Sequence, residues 1–412
     1  MKRVGSPELV DAWLAADEQR RAAQTQADKL KNDQKTAGEK MKGKLSPEER
    51  QQLQATLRQM KEQVQAAEKD QADAEAATNQ IMLQLPAIPD PTWPVGKDAD
   101  ENVVARMWND PSIPPAPLGD RKDHVALGTK LGILDFDRGV KLAGSRSYVV
   151  RGQGSRLYHA VLRFAMDVIT QRNYEPFVVP VLVTEQCMIG TGYFPAGRDQ
   201  AYITQDNTVL VGTSEVPLAS FHSNEILDEA ELPKRYCAMS ACFRREAGAA
   251  GKDTAGLYRV HQFDKVEQVV IHNADEAEHI QLHEEIIANS EYILQQLKLP
   301  YRVVKNCTGD MGQGKWRMYD IETWMPSRNA YGETHSGSAL RDFQARRLSL
   351  RYRSKDSKQT VYCYTLNNTA IACPRILIAI MENYQTADGS ITVPDVLRPY
   401  MNGLARIEKR DA

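Results

Sequence analysis

Small and apolar residues recur at alternating intervals of three and four along the first part of the chain. Leu53, Leu57, Met60, Val64, Ala67, Gln71, Ala74, Thr78, Ile81 and Leu85 form one such stripe, and Trp13, Ala16, Arg20, Ala23, Ala27, Leu30, Gln34, Ala37 and Met41 a weaker one. That spacing is the seam of a coiled coil. Between the stripes, Lys42-Gly-Lys-Leu-Ser-Pro-Glu-Glu49 puts a glycine stop ahead of Ser46, an N-cap residue, with Pro47 at the first helical position and Glu49 completing a capping box. The pattern predicts two long helices folded back as an antiparallel hairpin over residues 1–85. A second helix of ~40 residues would reach about 60 Å.

The period then breaks. Eight of the 20 prolines fall between Pro86 and Pro117, so no helix continues there, and residues 86–119 read as a linker. From 120 to 412 amphipathic helices mix with short apolar runs. Ser155 to Gln171 and Ile376 to Asn383 read as helices; Pro176 to Val183, Thr208 to Val211, Tyr236 to Arg244, Leu257 to Val270, Arg302 to Val304, Asp320 to Trp324 and Val361 to Leu366 read as strands. Pro180 within the first strand marks an edge or an interface. Strands outnumbering helices predict an α+β domain built on an antiparallel sheet.

Charge gives the hairpin a partner. The net charge of −2 over 412 residues is uninformative, but Lys29 to Lys61 carries nine basic residues, including Lys29, Lys31, Lys35, Lys40, Lys42, Lys44 and Arg50, against four acids. From Glu62 to Leu85 five acids face one Lys. A basic tip on a thin hairpin suits a phosphate backbone. Six scattered cysteines without a Cys-x-x-Cys pair indicate free thiols in a reducing compartment. No apolar run approaches the roughly 18 residues of a membrane span. The opening residues Met1 to Pro7 lack the apolar core of a signal peptide. The expectation is a cytoplasmic protein with no membrane partner.

The densest chemistry lies in Cys242-Phe-Arg-Arg-Glu246 and Arg259-Val-His-Gln-Phe263-Asp-Lys-Val-Glu267, two runs joined by a loop rich in Gly, Ala and Lys. On strands, Arg244 and Glu246 would share a face, as would Phe263, Lys265 and Glu267. Guanidinium groups on a rigid sheet can grip phosphate oxygens, and an aromatic beside them can stack on a purine.

This stretch resembles motif 2 of the class II aminoacyl-tRNA synthetases, in the wording of the seryl-tRNA synthetase family. The resemblance runs on through Gly212-Thr-Ser-Glu-Val-Pro-Leu218, Asp342-Phe-Gln-Ala-Arg-Arg347 and Leu366-Asn-Asn-Thr-Ala-Ile-Ala-Cys-Pro-Arg375 and covers nearly the whole chain. It implies activation of L-serine with ATP and Mg²⁺ and transfer to serine tRNA, also to selenocysteine tRNA where that exists. It implies a homodimer formed through motif 1, the helix and proline-containing strand of 155–183, and a hairpin arm that grips tRNA. The ATP-binding residues it implies are Arg244, Arg245, Glu246, Arg259, Val260, Phe263, Glu333, Thr334, His335, Ser336 and Arg375, with Glu333 and Ser336 also holding Mg²⁺. The serine-binding residues are Thr213, Ser214, Glu215, Arg244, Glu267, Asn367 and Thr369.

The chain departs from the family at Gly337, where Cys is usual, at Ala339, where Asn is usual, at Ser214, and at Asn368, where Gly or Ala is preferred. Family members also usually begin with a longer segment before the arm, which implies a late start or a missing cap. Two other readings stay open: a paralogue serving a biosynthetic pathway, and a non-catalytic tRNA-binding paralogue. His279-Ile-Gln-Leu-His283, with His272 nearby, has a metal-like spacing but lacks a third ligand in register. It reads as a solvated helix face, and no zinc is expected.

Overall fold

The structure, a computed structural model, describes residues 7–409 apart from 249, 250 and 252. The chain's opening residues and part of the loop rich in Gly, Ala and Lys therefore lie outside the described residues. The chain divides into two compact units that meet at Pro86 and Ala87.

The first unit is a pair of helices, α1 (Pro7–Lys40) and α2 (Pro47–Met82). Ser46 Oγ accepts from the Glu49 N–H, and a Glu49 carboxylate oxygen accepts in return from the Ser46 N–H, so the capping box forms with Pro47 first in the helix. Every residue of the two stripes is buried or half-buried. The innermost are small, Ala27 and Ala37 on α1 with Val64, Ala67 and Thr78 on α2. Lys31 pairs with Glu68 across the helices at 3.1 Å.

The second unit is built on an eight-stranded sheet: β1 (Val103–Trp108), β2 (Glu175–Phe177), β3 (Lys234–Phe243), β4 (Gln262–His272), β5 (Tyr301–Lys305), β6 (Arg317–Met325), β7 (Ala330–Arg341) and β8 (Tyr364–Cys373). Its order is β1-β5-β6-β7-β8-β4-β3-β2, with every neighbouring pair antiparallel except β2 on β3. One face packs on α3 (Gln153–Thr170) and α5 (Glu276–Gln296). On the other face, α4 (Glu215–Ser220) and α6 (Phe343–Leu348) pack over Val269 and Ile271 of β4. The helix α7 (Arg375–Asn383) leaves directly from the end of β8.

Four expectations change. The stretch expected as a linker, 86–119, belongs from Ala87 onward to the second unit and supplies its edge strand β1, because the prolines flank 103–108 without entering it. The strand expected from Pro176 to Val183 is two short ones, Glu175–Phe177 and Leu182–Thr184, in different sheets on either side of Pro180. The strands around the motif 2 loop are shorter than expected. β3 stops at Phe243 and β4 begins at Gln262, so Arg244, Glu246 and Arg259 stand on the connection, where Glu246 has φ +52°. Finally, His272, His279 and His283 are fully buried, not solvated. Among the described residues no group of three or more His, Cys, Asp and Glu side chains could hold a metal.

Candidate active site

Alternation along β4 sends Phe263, Lys265 and Glu267 to the same side of the sheet, where they line a cleft. Phe263 and Glu267 are ~13 Å apart along an ideal strand, about the span between a nucleotide base and a group joined to its α-phosphate. The neighbouring strand β8 adds Asn367 and Thr369, the latter directly opposite Glu267. Ala370 is an extra residue there: Val266 pairs with Ile371 and Glu267 with Thr369.

A second bulge explains the Glu-x-x-Ser segment. On β7, Glu333 pairs with Glu322 and His335 with Ile321, leaving Thr334 as the extra residue. Three-residue spacing would normally put Glu333 and Ser336 on opposite faces, but one bulged residue between them restores a shared face. Both line the cleft. The Thr334 hydroxyl is held by the Thr323 hydroxyl at 2.7 Å. Asp320 stands opposite Ser336, and its Oδ1 is buried without a hydrogen-bond partner. Burial and the neighbouring Glu333 carboxylate push Asp320 well above the usual carboxylate range.

Two buried carboxylates define the inner end of the cleft. Glu267 is paired with the Lys265 ammonium and lies 3.4 Å from the Thr369 hydroxyl, which donates to it. Burial raises its pKa, with Lys265 opposing the shift. Glu215 accepts from Tyr193 Oη at 2.7 Å and from Gln344 Nε2 and Asn367 Nδ2 at 2.8 Å each, so three donors fix its orientation. Thr213 and Ser214 lie behind this wall. The Thr213 hydroxyl accepts from the Glu215 N–H at 3.1 Å, and Ser214 Oγ donates to the Ala238 carbonyl at 3.4 Å.

The outer end is cationic and aromatic. Arg244 lies over the Phe263 ring, its guanidinium carbon 5.1 Å from the ring centre. Arg259 is paired with Glu246 at 2.7 Å. Arg375, first residue of α7, donates to the Tyr258 and Glu333 carbonyls at 2.9 Å each and stacks on Tyr258 at 4.4 Å. Because Asp264 pairs with Cys373, the register brings Phe263 and Arg375 to the same end of the sheet. Val260, Thr334 and His335 also line the cleft. Arg245 does not, and is turned toward the Asp199 carbonyl. The lining also includes Tyr193, Tyr258, Lys315 and Ser338 among residues to which the sequence reading gave no role, and, most consequentially, Lys265, which it placed on the shared face without assigning it a ligand. The alternation that selects Phe263 and Glu267 passes through Lys265 as well.

An antiparallel sheet carrying an arginine and an aromatic at one end of such a cleft and buried carboxylates at the other is the catalytic core of a class II aminoacyl-tRNA synthetase. Residues 201–384 match the model of the tRNA synthetase class II core domain (G, H, P, S and T), and residues 1–89 that of the seryl-tRNA synthetase N-terminal domain. The chain is 45% identical to the serine–tRNA ligase of Deinococcus radiodurans over 90% of its own length and 86% of that protein. Against the Mycobacterium bovis serine–tRNA ligase it is 42% identical over 97% and 94%. The crystal structure of seryl-tRNA synthetase from Pyrococcus horikoshii complexed with ATP superposes with a TM-score of 0.85 at 35% identity, covering 98% of this chain and 94% of that one. The chain belongs to the seryl-tRNA synthetase family.

Proposed function

We infer that the chain is a serine–tRNA ligase, which activates serine and charges tRNA with it. The observation that carries the reading at residue level is the single cleft face shared by Phe263, Lys265, Glu267, Asn367 and Thr369, with Arg375 beside Phe263. ATP binds along this face in our reading, with its adenine between Phe263 and Arg375. Glu246 and Val260 lie at the adenine end, and Arg259 takes the phosphate tail. Arg244 holds the α-phosphate and the serine carboxylate. The substrate ammonium and hydroxyl go to Glu267 and Thr369, and Glu215 braces the pocket through Asn367.

One carboxylate oxygen of serine attacks the α-phosphorus, the bond to the bridging oxygen breaks, and pyrophosphate leaves. A hydroxyl of the terminal adenosine of tRNA then attacks the seryl carbonyl and AMP leaves. No general base is needed for the first step, since a serine carboxylate is already ionised at neutral pH. Alignment and charge balance supply the acceleration.

Mg²⁺ fits Glu333 and Ser336, which the Thr334 bulge turns to one face, beside the unpartnered Asp320 oxygen. When bound, it would neutralise phosphate charge. Lys29, Lys31, Lys35, Lys40, Lys42, Lys44 and Arg50 form the surface we assign to the phosphates of serine tRNA. We place the enzyme in the cytoplasm on its six free thiols, and as a homodimer on the exposed apolar Val178 and Leu182 of the segment resembling motif 1. Among the described residues no helix is long and apolar enough to cross a membrane.

Serine-dependent exchange of pyrophosphate into ATP, run without tRNA, tests the reading. Exchange that requires serine supports it, and exchange driven equally by threonine or alanine would refute the pocket assignment.

A further inference from the structure

Behind the cleft, one row of the sheet consists of Gly337 on β7, Asn368 on β8 and Gln268 on β4, side by side in register. It faces α5, and each member is tied to that helix by a buried hydrogen bond. His283 Nε2 donates to the Gly337 carbonyl at 3.2 Å. Asn368 Nδ2 donates to the Ile286 carbonyl at 2.9 Å. Gln268 Oε1 accepts from Asn289 Nδ2 at 2.7 Å. The Ser290 hydroxyl lies 3.0 Å from Asn368 Oδ1 and 2.9 Å from the Thr369 carbonyl, one proton serving two acceptors. Asn368 therefore sits between the two cleft residues of β8, Asn367 and Thr369, with its side chain anchored on the opposite side of the sheet.

Gly337 makes room for it. A side-chain carbon at 337 would collide with the end of Ile287 and stand 3.1 Å from Asn368 Nδ2 and 3.3 Å from its Cγ. The two departures from the family wording, a smaller residue at 337 and a larger one at 368, are thus cross-strand neighbours competing for one space.

We propose that Asn368, admitted by Gly337 and anchored on Ile286 and Ser290, is the positioning residue that fixes Thr369 and, through their pairing, Glu267 at the serine end of the cleft. The proposal rests on the reading of that end as the serine pocket. Loss of the anchor lets the bulged segment at Ala370 shift, which displaces the hydroxyl and ammonium contacts while leaving Phe263 and Arg375 in place. Serine binding should weaken and ATP binding should not.

The test is pyrophosphate exchange on the full chain, with the KM for serine and for ATP measured separately. Asn368→Gly and Ser290→Ala should each raise the serine KM on the order of tenfold and change the ATP KM less than about twofold. Gly337→Cys should be worse, and Gly337→Cys combined with Asn368→Gly should recover most of that loss, because the vacated space takes the new side chain and the displaced Ile287. Equal rises in both KM values, or a double variant as poor as the product of the two singles, overturns the proposal. Should Gly337→Cys or Asn368→Gly fail to fold, Ser290→Ala, which removes a single oxygen, decides by the same KM comparison. Glu267→Gln is assayed in parallel. If it too leaves the serine KM unchanged, the pocket reading fails and the proposal with it; if it raises the serine KM while Ser290→Ala does not, only the positioning proposal falls.

Discussion

Glu267 is almost wholly buried, and its charge is answered by Lys265 and the Thr369 hydroxyl. A carboxylate in such a place discriminates, because a ligand that fails to satisfy it leaves a buried charge without its full set of partners. Glu267→Gln keeps the shape and removes the charge, and should cost on the order of 1.5 to 3 kcal/mol, seen in the serine KM and kcat/KM. Arg244 is of another kind: it is exposed and bonds only weakly, at 3.4 Å, to the Gly212 carbonyl. Its removal disturbs little of the fold. Arg244→Ala should abolish serine-dependent exchange while a filter-binding assay finds tRNA affinity nearly unchanged, and full exchange activity would remove the residue from the site. Most of the cleft lining was legible through motif wording, which strand alternation supports for Phe263 and Glu267 but not for Arg244, Glu246 and Arg259, which stand on the connection between the strands. Lys265 shows the limit. Alternation puts it on the cleft face with Phe263 and Glu267, but its burial and its pairing with Glu267 are set by the packing around the sheet, which the local sequence does not report.

The elements were legible in proportion to how local their causes are. The seam and capping box of α1 and α2 depend on neighbours a few residues apart, and the helices form as the spacing dictates. The bulges at Thr334 and Ala370 depend on the register between distant strands, which no local pattern reports. The same holds for α5, whose histidines sit at a polar spacing yet pack inward against the sheet. His272 Nε2 and His279 Nδ1 lie 2.7 Å apart, and the Arg341 N–H donates to His279 Nε2, so His279 carries its proton on Nδ1 and donates to His272. Burial lowers His272 and His283 to about 4 from an ordinary 6.5, and pushes His279 down as well. The unfolded chain then binds more protons than the folded one between those two values. Stability is fully present above 6.5 and is lost as pH falls toward 4, by about 1.4 kcal/mol per pH unit for each of His272 and His283. His283→Gln, which retains a donor for the Gly337 carbonyl, should flatten this dependence. Urea midpoints of both proteins at about pH 7.5 and about pH 5 measure it, and an unchanged difference would refute the assignment.

At the scale of the whole molecule, the two units divide the chain's charges by use. Within the cleft of the catalytic unit, cations are held in pairs or against rings, as with Arg259 on Glu246, Lys265 on Glu267 and Arg375 on Tyr258. The arm exposes most of its own: Lys29, Lys35, Lys40, Lys42, Lys44 and Arg50 are exposed or half-exposed and make no ion pair among the described residues, while Lys31 pairs with Glu68. Surface cations of this kind bind a polyanion by displacing its counterions, a process that weakens steeply with salt. Small-substrate chemistry in a folded cleft is less exposed to screening. Replacing Lys29, Lys31, Lys35, Lys40, Lys42, Lys44 and Arg50 together by Gln leaves the helical seam untouched, so the arm should keep its helices by circular dichroism. Pyrophosphate exchange should persist at the parent rate. Charging of serine tRNA should fall by orders of magnitude at moderate salt, and its remaining rate should depend on salt much less than the parent's, because the contacts that release counterions are gone. A variant that charges tRNA as fast as the parent, with the parent's salt slope, would make the arm a structural coil and move tRNA recognition elsewhere in the chain.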